Sequence, residues 1–310
     1  MTTRYASPLR YPGGKARMTS WLADRMLSSP SMLDIEVWIE PFGGGLGAAL
    51  TALLDHGVPE VWACELNPAL HAFWTCALES DDLADRVERT TVTLDLFWRS
   101  RDLVSASLAG ESVPVDELGY AAFVLNRCSR SGMVLGNVGP MGGRAQTGQW
   151  LGNARFARPD RLADRLRVIA GLGRSRRLIL QGHDGISRIE ELPGSGIEHE
   201  VFVFADPPYV GVGNRLYAEG MDAGLHRRLA TALDRCPAPW ALTYDEHPDV
   251  AELYRGHRID RFEIPHSAHR GKIGAEYLIT PHWSAPVLEN PLGKGSIQRV
   301  SGVARLAVPA

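Results

Sequence analysis

Cysteine is sparse: Cys64, Cys76, Cys128 and Cys236 lie far apart and form no C-x-x-C pair. That spacing excludes a disulfide framework or a zinc site and fits a reducing cytoplasm. No apolar stretch approaches the ~18 to 20 residues a membrane span needs. None follows Met1-Thr2-Thr3-Arg4-Tyr5 either, so neither a membrane helix nor a secretory signal is expected. Internal repeats and low-complexity blocks are also missing. What remains is 310 residues, 45% hydrophobic and 22% charged, the composition of a soluble globular protein that can bury a full core.

Lysine is scarcer still. Of 33 basic residues only Lys15, Lys272 and Lys294 are lysine, so a compact ammonium at Lys15 suggests a need for its size or geometry. The net charge of -3 says nothing about a polyanionic partner, but its distribution does. Between Asn126 and Arg177 eleven arginines stand against Asp160 and Asp164 alone. A strongly basic face that would suit nucleic acid is the expectation, although arginine and aspartate also alternate at helical spacing from Arg158 to Arg167.

Helices and strands alternate along the chain. The pattern predicts a helix over Ala16–Leu27, a strand over Val37–Glu40, a glycine turn, and a helix over Leu46–His56. A second strand, Val61–Cys64, leads through Asn67-Pro68 into a helix over Ala69–Leu78. Helical patterns over Asp82–Ser107 and Asp116–Asn126 precede an irregular, glycine- and arginine-rich stretch, Cys128–Phe156. Then come a helix (Pro159–Gly171), a strand (Arg177–Gln181), a fully apolar strand (Val201–Ala205), a helix (Asp222–Arg235), a strand (Trp240–Tyr244) and a helix (Pro248–Arg255). His257–Ile264 and Glu276–Thr280 read as a terminal strand pair, and residues from Trp283 onward as a tail that wraps or frays. The expected class is α/β, a Rossmann-like fold with a mainly parallel sheet, helices on both faces and ligands at the carboxyl ends of the strands.

The informative motifs all fall at such ends. Glu40-Pro41-Phe42-Gly43-Gly44-Gly45-Leu46-Gly47-Ala48 allows a tight turn and close approach of a ligand to backbone; a nicotinamide cofactor, a flavin and S-adenosylmethionine could each use it. Glu65 is placed to accept hydrogen bonds from ribose hydroxyls, and Glu40 favours a cationic group such as a methionine ammonium over pyrophosphate. Asp206-Pro207-Pro208-Tyr209 discriminates more. Two prolines after a buried strand hold a rigid extended corner. The Asp206 carboxylate and the Pro207 carbonyl can then accept both hydrogens of a planar exocyclic amine, whose ring stacks on Tyr209.

Pro8 to Lys15, Glu40 to Gly47, Glu65-Leu66-Asn67-Pro68, Asn126-Arg127, Asp206 to Tyr209, Arg270-Gly271-Lys272 and Glu276-Tyr277-Leu278-Ile279 recur in order. Over about residues 7–281 the chain resembles the Dam-like DNA adenine-N6 methyltransferases, in the motif order of the α group of amino-methyltransferases. The resemblance implies S-adenosyl-L-methionine as cofactor, with Tyr11 and Lys15 bordering its site, and Glu40, Phe42, Gly43 and Gly45 lining the methionine end. It further implies that Glu65 holds the ribose, that Asp184 lies near the cofactor adenine, and that Asp206, Pro207, Pro208 and Tyr209 are catalytic. Tyr11 stands where the family often has tryptophan, and Gly185 where phenylalanine usually follows the acid.

The corresponding organisation is a catalytic domain over residues 1–80 and 172–282, an inserted helical and target-recognition region over 81–171, and a tail over 283–310. Arg127, Arg130, Arg144, Arg155 and Arg158 are the candidate DNA contacts. Double-stranded DNA is the expected partner of a cytoplasmic monomer, with a restriction endonuclease as a further possible partner. The stretch from Ser131 to Phe156 lacks the Asn-Gly-Leu-Tyr-Arg type segment of better-known members, so GATC specificity does not follow. Cytosine C5 chemistry needs cysteine after proline, whereas Cys236-Pro237 has the reverse order. An RNA base methyltransferase and a catalytically silent DNA-binding module are the rivals. A nicotinamide dehydrogenase lacks a His-Asp pair in a recognisable context.

Overall fold

The structure, a computed structural model, describes residues 7–10, 15, 18–22, 35–135, 137–146, 156–182, 184–210, 221–265, 273–283 and 297–301. Among the described residues eight strands form one sheet: β1 (Val37–Glu40), β2 (Glu60–Ala63), β3 (Leu178–Leu180), β4 (Val201–Ala205), β5 (Trp240–Asp245), β6 (Arg258–Pro265), β7 (Ile273–Thr280) and β8 (Ile297–Ser301). Their order is β3-β2-β1-β4-β5-β7-β6-β8. The first five run parallel, while β7 pairs antiparallel with both β5 and β6, and β8 antiparallel with β6. This is a Rossmann-like α/β fold. The strand order reverses between β1 and β4, which opens a crevice at their carboxyl ends.

Period-two alternation builds the two faces. Trp38, Phe202 and Phe204 point into one core, and Val37, Ile39, Val201, Val203 and Ala205 into the other. Over the first face lie α1 (Gly47–Asp55), α2 (Pro68–Glu79), α3 (Asp82–Glu88), α4 (Leu94–Leu108), α5 (Val115–Cys128) and α6 (Pro159–Arg174). Over the second lie α7 (Gly185–Glu190), α8 (Ala223–Arg235) and α9 (Pro248–Leu253). Asn67 starts α2 as the sequence suggests: its side chain accepts from the amides of Ala69 (3.0 Å) and Leu70 (3.1 Å), with Pro68 following. The helices within residues 81–171 share the first core with the sheet. Phe123 of α5 stacks on Phe73 of α2 at 5.6 Å, and Phe156 meets Phe123 edge-on at 5.7 Å.

One expected helix divides. The helix expected over Asp82–Ser107 is two, α3 and α4, separated at Thr90-Thr91-Val92-Thr93. A β-branched run disfavours helix, and Thr93 caps α4 by accepting from the Leu96 amide at 3.1 Å. The six-residue α7 was not anticipated. The tail contributes β8, which covers the edge of β6 and brings Arg299 to 2.5 Å from the buried Asp260. Of the helix expected over Ala16–Leu27, residues 18–22 are helical, and the others lie outside the described residues.

Part of the arginine charge between Asn126 and Arg177 is paired within the fold. Arg167 pairs with Asp85 at 2.9 Å and with Glu88, and Arg174 with Asp81 at 3.2 Å, so acids of α3 take up charge from α6. Arg177 spends its guanidinium on the carbonyls of Leu53, Val58 and Pro59.

Candidate active site

β1 ends at Glu40, and the chain then turns through Pro41-Phe42-Gly43-Gly44-Gly45 into α1. The Gly43 amide donates to the Cys64 carbonyl at 2.8 Å, and a Cβ at Gly43 would stand 2.9 Å from that oxygen. Gly44 takes a φ of 50°, easy only without a side chain. Two acids support this turn. Glu65, just past β2, accepts from the Gly44 amide at 2.7 Å and from the Asn67 amide at 2.8 Å. Glu40 accepts from the Ala49 amide at 2.9 Å. Leu46 offers α1 no side-chain cap, so the Glu40 carboxylate meets an otherwise unpartnered amide and the positive end of the helix.

Glu40 is buried, and burial pushes its carboxyl well above the ordinary carboxylate range. The Ala49 amide draws it down, while Asp206 and Glu65 push it further up. A cation arriving beside it would relieve that strain.

β4 is buried throughout and delivers Asp206-Pro207-Pro208-Tyr209 to the same edge of the sheet. Asp206 Oδ1 accepts from the Thr243 hydroxyl at 2.6 Å and lies 3.2 Å from Lys15 Nζ. The Lys15 ammonium also donates to the Tyr209 hydroxyl at 2.8 Å and stands 3.3 Å from Glu276 Oε2. The Tyr209 hydroxyl in turn donates to Glu276 Oε1. Both Lys15 and Glu276 are under 10% exposed. For Lys15, burial works against the charge, but Asp206 and Glu276 outweigh it and lift the ammonium above its ordinary range. Burial raises the Glu276 carboxyl while Lys15 pulls it back. Asp245, opposite Glu276 in the β5–β7 ladder, accepts from the Val210 amide at 3.3 Å. These contacts pin the exit of the diproline corner on two sides.

The residues expected from sequence thus fall into two neighbouring groups at the carboxyl ends of β1, β2 and β4. Glu40, Gly43, Gly45 and Glu65 form the turn, with the half-buried Phe42 packed on the second core. Asp206, Pro207, Pro208 and Tyr209 form the corner, and Lys15 belongs with the corner. Tyr11 lies outside the described residues. Asp184 caps α7 through the amides of Ile186 and Ser187 and pairs with Arg228 at 2.8 Å. The Ser187 hydroxyl and Arg228 hold its carboxyl below the ordinary range although burial opposes them. At Gly185 a Cβ would lie 1.9 Å from the Pro41 carbonyl oxygen, which accounts for glycine where the resemblance leads one to expect phenylalanine.

Thr243 and Glu276 enter the site unassigned by the sequence reading. The signals are Glu276 at the head of Glu276-Tyr277-Leu278-Ile279, and for Thr243 the polar Thr243-Tyr244-Asp245 that closes an apolar strand.

Of the candidate DNA contacts, Arg127 donates to the Pro8 carbonyl at 3.1 Å, and Arg130 is exposed. Arg144 is exposed, its guanidinium 5.4 Å from the Trp98 ring, and Arg158 pairs with Asp160 on the surface. Arg155 is outside the described residues. No cluster able to hold a metal occurs among the described residues, and none of their helices is long and apolar enough to cross a membrane. Burial pushes the thiols of Cys64 and Cys128 up to about 12 and those of Cys76 and Cys236 to about 11, so none offers a thiolate nucleophile near neutral pH.

No protein-family model and no curated protein matches the chain. Two solved structures of the rRNA methyltransferase aviRa from Streptomyces viridochromogenes overlie it loosely. One shares 19% identity over 91% of this chain and 92% of the other, with a TM-score of 0.37. The second shares 14% over 90% and 93%, with a TM-score of 0.40. Overlays this loose transfer no chemistry to the present chain.

Proposed function

We propose that the protein is a site-specific DNA adenine-N6 methyltransferase that uses S-adenosyl-L-methionine and acts on an adenine extruded from duplex DNA. One observation carries the reading. At the end of a buried central strand, Asp206 is held through one oxygen by Thr243 and Lys15, and no described residue donates to the other. A carboxylate fixed in this way is an acceptor waiting for a donor. The aromatic Tyr209 and the carbonyl of Pro207 belong to the same rigid corner.

The neighbouring turn suits the cofactor. The Gly43–Gly45 backbone lacks the side chains that would keep a ligand away, and the elevated Glu40 carboxyl gains from a cation. Glu40, Phe42, Gly43 and Gly45 would hold the methionine end and Glu65 the ribose end. When bound, the cofactor supplies an electrophilic methyl group on a sulfonium.

The corner's part is to prepare the amine. An exocyclic adenine nitrogen delocalises its lone pair into the ring and is a poor nucleophile. Hydrogen bonds from its two N–H groups to Asp206 and to the Pro207 carbonyl favour a pyramidal nitrogen with the lone pair available. Position and charge then carry most of the rate. A base inside a duplex cannot reach such a corner, so flipping onto Tyr209 is part of the reading.

The test is expression in a methylation-free host followed by mapping of modified bases with long-read sequencing. N6-methyladenine in a short recurrent sequence is expected. No modified adenine under good expression refutes the reading. Labelled methyl transferred to RNA but not to duplex DNA would move the substrate to RNA.

A further inference from the structure

Glu276 opens one of the segments that carry the resemblance, yet the sequence attaches no role to it. It lies on β7, the strand that runs against β5, so no local pattern ties it to the Asp206 corner. The ladder register does: Glu276 faces Asp245, two residues beyond Thr243 on the same face of β5. From there its carboxylate meets Lys15 through both oxygens, at 3.4 and 3.3 Å, and accepts from the Tyr209 hydroxyl. The same ammonium reaches Asp206 Oδ1 at 3.2 Å and the Tyr209 oxygen at 2.8 Å. One buried carboxylate therefore sets a cation that touches both the acceptor and the aromatic ring.

We propose that Glu276 is a positioning residue: through Lys15 and the Tyr209 hydroxyl it locks the Asp206 rotamer and the Tyr209 ring into the geometry that receives the target amine. The inference rests on the methyltransferase reading for what that geometry serves, but the lock itself is independent of it. Glu276 touches neither the glycine turn nor its two supporting acids in any hydrogen bond or ion pair among the described residues. Its loss should leave cofactor affinity alone and strike the rate. Glutamine at this position keeps size and hydrogen-bonding capacity but removes the charge that holds Lys15.

The experiment uses the full chain and two readouts. The first is the titration of Lys15 in a spectrum of isotope-labelled lysine. Only three lysines are present, and the signal lost in Lys15→Arg assigns the one of interest. In Glu276→Gln the titration midpoint of Lys15 should fall by about one unit or more, because burial keeps pressing it down while one of two nearby anions is gone. The second is single-turnover methyl transfer alongside cofactor affinity by calorimetry. The rate should drop about tenfold or more, the usual cost of a lost charge-assisted contact, with the cofactor dissociation constant within about threefold.

An unmoved Lys15 midpoint overturns the proposal, as does a rate that falls only in proportion to cofactor affinity. Should Glu276→Gln fail to fold, Glu276→Asp takes its place. It keeps the charge but withdraws it by one methylene, and a smaller fall in both readouts is expected. A wild-type protein that methylates neither DNA nor RNA, yet shows the Lys15 shift, would sink the functional reading and leave the lock standing.

Discussion

Thr243→Val isolates the other support of Asp206. The Thr243 side chain is fully buried on β5, and its hydroxyl donates to Asp206 Oδ1 at 2.6 Å. Valine fills nearly the same space and cannot donate. A hydrogen bond to a charged group contributes about 1.5–3 kcal/mol. If the transition state feels all of it, the methyl-transfer rate falls about 10- to 150-fold. Lys15 still holds the same oxygen at 3.2 Å, so the loss should remain below that of removing the carboxylate itself.

The assay is single-turnover transfer of labelled methyl to DNA from a methylation-free host, with cofactor affinity measured by calorimetry on the same preparation. Thr243→Ser, which restores the donor, should recover most of the rate. A valine variant that folds and works within about twofold of the parent would refute the idea that the Asp206 rotamer matters to the barrier. So would a matching loss of cofactor affinity.

Asp206→Asn keeps the shape but trades an acceptor oxygen for a donor. Transfer should fall by about 100-fold or more with cofactor binding retained, as when an electrostatic group at a reacting centre is removed. Glu40→Gln should stabilise the cofactor-free protein at neutral pH. A carboxyl raised by burial contributes its full stability below the ordinary 4.5 and loses it as pH rises through the elevated folded value. The variant's advantage in melting temperature should therefore vanish below about pH 4.5 and grow above it, while its cofactor affinity drops; a gain that is flat with pH would contradict the assignment. Arg130→Ala should weaken duplex binding and reduce the salt slope by about one. Arg167→Ala, whose guanidinium is already taken by Asp85 and Glu88, should leave that slope unchanged. The opposite ranking would mean that α6 faces the nucleic acid.

Much of this was legible because it is local. The apolar runs Val37–Glu40 and Val201–Ala205 announce strands buried on both faces, and Asn67-Pro68 announces a helix start, each within a few residues. The glycine turn and the diproline corner show in sequence because their backbone demands glycine and proline. What escaped is long-range. Arg167 and its acids on α3 are about 80 residues apart, so the charge of a window cannot reveal which of its arginines are already paired. Strand β8 is five residues with no apolar alternation, and only the open edge of β6 and the Asp260–Arg299 pair give it a place. Glu276 and Thr243 reach Asp206 through the registry of an antiparallel ladder, which no periodicity encodes. The six-residue α7 is too short for a 3.6-residue repeat to show.

The contact between Gly185 and Pro41 has one more consequence. Two main chains meet there with no thickness to spare, a hypothetical methyl falling 1.9 Å from an oxygen. That wall of the crevice is thus made of peptide, and its contour is inherited through the path of the chain rather than through a side chain that could be exchanged. A change at Gly185 would have to pry β1's exit away from the start of α7.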